Sequence, residues 1–171
     1  DCREQLQRFK DAGTFIVMHN GKFDYEVIKC TCDIEIEPDW DTMIGAHTIN
    51  ENEKMGLKPQ YISKIDPTQE KYDIEHLFTV PYKYVDPEIF ALYAATDSMM
   101  TDKLYVYQAA ILTAPGNERL YWLFTNIEMP IVKVAADIAN DISMENHNMY
   151  LKGQLQKIYI DTLSYDPWQD L

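Results

Sequence analysis

Apolar residues in this chain recur with two different periods, and the places where the period changes mark out its elements. Residues 1–13 read as an amphipathic helix with Cys2, Leu6 and Phe9 toward a core, closed by Gly13. Thr14 to Met18 is β-branched and aromatic without a charge, which predicts a short buried strand. The chain then turns at Asn20-Gly21 and enters a helix running from Lys22 to about Lys29. In CDIEIEPDW, Ile34 and Ile36 alternate with Asp33, Glu35 and Glu37, the pattern of a half-buried strand that Pro38 ends. DTMIGAHTIN opens another helix, with Asp41 as N-cap and Met43, Ile44 and His47 at helical spacing.

The next stretch, residues 51–78, reads as short helical pieces broken at Gly56, Pro59 and Pro67, followed by a loop with prolines at 81 and 87. A long helix starts at Pro87 and Glu88, carries Ile89, Leu92, Ala95, Met99 and Leu104 near one stripe, and stops before Pro115-Gly116. A last helical region spans Asn117 to about Leu163, with a fresh start at Pro130, and the tail from Tyr165 reads as extended or disordered. Strands alternating with helices predict an α/β fold.

At 171 residues the chain is one domain or one domain and the start of another, and 46% hydrophobic content is enough for a core. No run is long enough for a membrane span and no signal peptide is visible, so no membrane partner is expected. The three cysteines, Cys2, Cys30 and Cys32, have neither the number nor the spacing of a disulfide framework or a zinc site, so reduced thiols in a cytoplasm are expected. Fifteen basic against 28 acidic residues give a net charge of −13, which argues against holding duplex DNA on a broad basic face. It is compatible with a nuclease cleft, where carboxylates recruit divalent metals that meet the phosphates.

Two pairs of residues carry candidate chemistry. Asn20 and Asp24 lie four apart just past a strand, so they share a helix face close to Phe23 and Val27, where α/β folds place ligands. Read plainly, Asn20 caps that helix and Asp24 is an ordinary first-turn acid. Tyr93 and Asp97 form a second such pair on the long helix. Two helices, each with an aspartate and a polar helper, are what two-metal phosphodiester cleavage needs, with Mg²⁺ or Mn²⁺ ions roughly 4 Å apart.

In order along the chain, HNGKFD, then WDTM with the following GLK, then YAATD, then IEMPIVKVAADI resemble the 3′–5′ proofreading exonuclease domain of family A, pol I-like DNA polymerases of bacteria and bacteriophages. The resemblance covers about residues 1–160. It implies an RNase H-like fold, a mixed sheet flanked by helices, with residues 1–115 as the exonuclease-like domain and 116–171 as a helical linker towards a polymerase domain. It implies Asp24 and Asp97 as metal ligands for Mg²⁺ or Mn²⁺, and Tyr93 as the residue that positions the attacking water. Asn20, His19 and Lys22 fall in the motif as substrate-contacting or supporting residues, and Asp41 and Thr42 as a helix cap. The substrate would be the 3′ end of single-stranded DNA, in the cytoplasm of a bacterium or a phage-infected cell.

One departure stands out. The family's first motif, Asp-x-Glu on a central strand, precedes the helix with which this chain begins, so the resemblance implies an N-terminal truncation. Asp33-Ile34-Glu35 and Asp73-Ile74-Glu75 have the right letters in the wrong order and are rejected as substitutes. Without that motif the segment is expected to bind a metal pair poorly, and the edge of Thr14–Met18 is expected to need covering by a polymerase domain or an upstream chain. NDISMENHNM also replaces the usual Gly turn of the linker. Two readings follow: a nuclease completed by the missing segment, or a catalytically inactive scaffold of a replication protein.

Overall fold

The computed structural model describes residues 2–68 and 84–139. The expectations for Asp73-Ile74-Glu75, Pro81, the end of the last helix, NDISMENHNM and the tail lie outside those residues. Helices dominate: α1 (Cys2–Asp11), α2 (Gly21–Cys32), α3 (Thr42–Ile49), α4 (Leu57–Lys64), α5 (Pro87–Leu112) and α6 (Glu118–Leu123). Two short strands, β1 (Val17–Met18) and β2 (Trp40–Asp41), pair in parallel, with Val17 opposite Trp40 and Met18 opposite Asp41.

Helix ends follow local chemistry closely. Gly13, at φ 61°, closes the turn after α1, and Asp86 caps α5 by accepting from the Glu88 and Ile89 amides with Pro87 in the first turn. Pro59 does not break the chain. It sits in the first turn of α4, where its missing N–H would have had no partner anyway.

The strands are where expectation and structure part. The buried strand expected over Thr14–Met18 shrinks to two half-buried residues, and Phe15 is left exposed. With a single neighbouring strand, β1 has no wide sheet face on which to bury a run of side chains. For the same reason α1 forms but buries none of its residues, so Cys2 and Phe9 remain exposed. Residues 33–39 keep the expected alternation, with Ile34 and Ile36 buried and Glu35 and Glu37 exposed, yet they are not a strand. Among the described residues the sheet is parallel and two-stranded, not mixed.

The core lies on both sides of the second half of α5. Trp40, Leu112 and Phe124 form one cluster, with Tyr105 edge-on to Trp40 at 5.2 Å. Tyr61, Met100 and Leu104 form another against α4. Gln108, 1% exposed, ties the layers together: its Oε1 accepts from Trp40 Nε1 (3.1 Å) and its Nε2 donates to the Thr42 carbonyl (2.8 Å). Helix α3 approaches this link so closely that a Cβ on Gly45 would collide with Gln108 Oε1.

After α6 the helix does not restart at Pro130. Helical backbone runs on over 129–139, after a wider π-turn at Phe124–Glu128 in which the Met129 N–H reaches the Phe124 carbonyl. Pro130 lacks an N–H and would press on the carbonyl one turn back, and the wider turn accommodates it. The helix is moored by Lys133, whose Nζ lies 2.8 Å from the hydroxyl of buried Tyr25 and 3.4 Å from Asp137. Lys29 joins the same cluster through Glu35 (3.0 Å) and Asp137 (3.1 Å).

Candidate active site

The turn from β1 into α2 is made by Asn20 in the left-handed region (φ 63°, ψ 47°), a conformation that asparagine tolerates better than most residues. Asn20 does not cap the helix it precedes, since its side chain makes no capping bond. The cap comes from Asp41, 21 residues later in the chain. Asp41 Oδ2 accepts from the Gly21 amide (2.6 Å), and Oδ1 accepts from the amides of Asn20 (3.1 Å), Met43 (2.8 Å) and Ile44 (3.4 Å). The expected N-cap of α3 is therefore present and also serves α2. Thr42, fully buried, faces His19 through a 2.8 Å contact between Oγ1 and Nδ1.

Because α2 leaves β1 at this point, its first turn faces the first half of α5 across a cleft of about 850 Å³. His19, Asn20, Phe23 and Asp24 line one side, and Tyr93, Asp97, Ser98 and Asp102 line the other. Lys22, half-buried, is not among the lining residues. Lys58 of α4 stands over the Tyr93 ring at 4.8 Å from its centroid, and Phe90 stacks on Tyr93 at 6.4 Å. Two of these neighbours were not foreseen. Asp102 lies five residues beyond Asp97, outside any i, i+4 pairing, and Lys58 comes from a different helix, so neither had a local signal.

Burial sets the electrostatics of the site. It raises the Asp24 carboxyl above its ordinary range, and the nearby charge of Asp41 adds to the effect. It lowers the pKa of His19 below the ordinary 6.5, opposed by the Asp41 charge and the Met55 backbone. Oxygen donors such as Asp24 and Asp97 suit hard divalent cations by type. By number they fall short of a two-ion centre, because among the described residues no three His, Cys, Asp or Glu side chains converge.

Residues 4–112 match a family described as 3′–5′ exonuclease. DNA polymerase I of Treponema pallidum is 30% identical over 141 residues, which is 77% of this chain and 13% of that protein. DNA polymerase I of Borreliella burgdorferi is 28% identical over 156 residues, 89% of this chain and 16% of that protein. The chain thus spans less than a fifth of the length of these curated relatives. No solved structure matches it. No described helix is long and apolar enough to cross a membrane.

Proposed function

The chain belongs to the 3′–5′ exonuclease family, and from that premise we propose that it is part of a proofreading nuclease that removes 3′-terminal nucleotides from single-stranded DNA. What supports this reading is that residues far apart in sequence, His19, Asn20 and Asp24 on one side and Tyr93 and Asp97 on the other, line one cleft. Residues 1–115 are the nuclease-like unit in this reading and 116–171 the connection towards a polymerase domain. The working cell is bacterial or phage-infected, and the compartment its cytoplasm. The full fold is RNase H-like, with further strands beside β1 bringing the Asp-x-Glu pair.

Asp24 and Asp97 would hold Mg²⁺ or Mn²⁺ together with that pair, whose chemistry is activation of water and stabilisation of the leaving oxygen. The chain's own residues do the rest. The Tyr93 phenol, braced by Phe90 and Lys58, orients a water in the cleft. Asn20 presents its amide from a turn that leaves its side chain free of capping duty, and His19 and Lys22 support the strand end and the substrate.

The test joins the chain to an upstream segment carrying Asp-x-Glu and measures Mg²⁺-dependent release of 3′ nucleotides from single-stranded DNA. Activity is expected, with Asp97→Ala lowering it about 100-fold, the scale on which metal sites respond to lost groups. An active joined protein that Asp97→Ala leaves unchanged would remove Asp97 from the site, and an inert one would instead favour a non-catalytic scaffold. The shortage of converging ligands among the described residues is the observation on that side.

A further inference from the structure

An ordinary N-cap sets one oxygen against one helix, as Asp86 does for α5 with Oδ1 alone. Asp41 serves two helices, Oδ2 taking Gly21 of α2 while Oδ1 takes Asn20 before α2 together with Met43 and Ile44 of α3, and these four partners are all backbone amides. It does so at 2% exposure, where a carboxylate is tolerable only because charge-assisted bonds and the positive ends of α2 and α3 surround it.

We infer that Asp41 is a positioning residue: its carboxylate fixes the Asn20–Gly21 entry of α2 to the start of α3 and so sets where Asn20 and Asp24 stand in the cleft. The ordinary substitutes for a capping aspartate do not suffice here. Serine and threonine offer one oxygen, and asparagine offers one oxygen and an NH₂ group that would face an amide donor. Its single oxygen would take the position serving three amides, and the NH₂ would then confront Gly21, whose bond to Asp41 is the shortest of the four. Asn20 and helix α3 would stay held by the remaining oxygen while the first amide of α2, at Gly21, came loose.

This inference rests on the reading of Asn20 and Asp24 as working residues of the cleft. The experiment reads backbone geometry, so it decides the part of Asp41 whether or not nuclease activity is found. In the unaltered full chain, NMR couplings across hydrogen bonds should connect Asp41 Cγ with the amide nitrogens of both Gly21 and Met43. In Asp41→Asn, the Gly21 amide should exchange at least ~10-fold faster while Asn20, Met43 and Ile44 stay within ~3-fold, and the Asp24 amide resonance should move. Asp86→Asn should leave all five amides as they were. A residue that merely stabilises the fold would release the four amides together. Equal release, or Gly21 protection unchanged in Asp41→Asn, overturns the inference. Should the variant not fold, the coupling between Asp41 and Gly21 in the unaltered chain decides: its presence supports the shared cap and its absence sinks it.

Discussion

Helix α5 is one unbroken element with two different halves. From Met100 to Leu112 it is gripped on several sides, by Tyr61 of α4, by Trp40 of β2, and through Gln108 by the backbone at Thr42. From Pro87 to Met99 none of its residues is buried, and Ile89, Phe90 and Leu92 are exposed. Tyr93 and Asp97 belong to the second region, within one or two turns of where the grip begins. A helix needs tertiary packing for most of its stability, so the gripped half holds the other half in place as a lever arm. Candidate chemistry therefore sits beside the anchor and outside it, where side chains are available to a ligand.

The largest break in this contrast comes from inside the grip. Leu104 is 0% exposed and packs in the cluster with Tyr61 and Met100. Leu104→Ala should destabilise the chain by about 2–5 kcal/mol, lost burial plus the cavity left behind. Urea unfolding followed by circular dichroism measures it. A loss near zero would mean that the two halves of α5 are not energetically different.

Much of this was legible in the residues. Helix ends at Gly13, Asp41 and Pro87 were, because these residues act on backbone within a turn of themselves, whereas the Asp86 cap of α5 went unread. The pairing of Asn20 with Asp24 and of Tyr93 with Asp97 was legible as spacing, and their meeting across one cleft was implied by the family resemblance. What depended on distant partners was not. Alternation at Ile34 and Ile36 reported which side chains would be buried, but a strand also needs a neighbour along its backbone, and among the described residues only the Asp39 end of 33–39 meets one, its amide donating to the Ile16 carbonyl (2.8 Å). The stripe expected through Ile89, Leu92, Ala95, Met99 and Leu104 was wrong for most of its length. The buried positions are Met100, Thr101, Leu104, Gln108 and Leu112. Apolar spacing shows that a helix has a face, but the neighbour decides which face is covered, and here two polar side chains carry part of it. The service of Asp41 to α2 had no local signal at all.

The anchor should also feel the cleft, through a chain of contacts from His19 to Thr42 and on to Gln108. Burial lowers the pKa of His19, and Asp41 is the charged group facing it. A histidine that is harder to protonate when folded leaves stability full above its ordinary 6.5, and stability falls as pH drops from there towards the lowered folded value. Below that value the histidine contribution is flat. The chain should therefore lose part of its stability on acidification through that window, by less than Leu104→Ala removes, and His19→Gln should remove that part of the pH dependence. Unfolding midpoints of the two proteins across pH 7 to 5 give the comparison. Parallel curves would show that the anchor does not feel His19.

The smallest effect is the sharpest test of where the grip ends. Leu92 lies twelve residues before Leu104 on the same helix and is 62% exposed. The two leucines share residue type and helical backbone and differ chiefly in burial, so chemistry is held fixed between them. Leu92→Ala should change stability by no more than ~0.5 kcal/mol, as exposed substitutions do, and alanine's helix propensity offsets part of any lost contact. The same urea titration used for Leu104→Ala measures it. A cost of about 2 kcal/mol would place Leu92 against a packed partner and extend the gripped region past Tyr93 and Asp97, which would put both residues of the candidate site inside the anchor. A cost near zero leaves them at its edge, where the cleft can open to a substrate without disturbing the core that aims it.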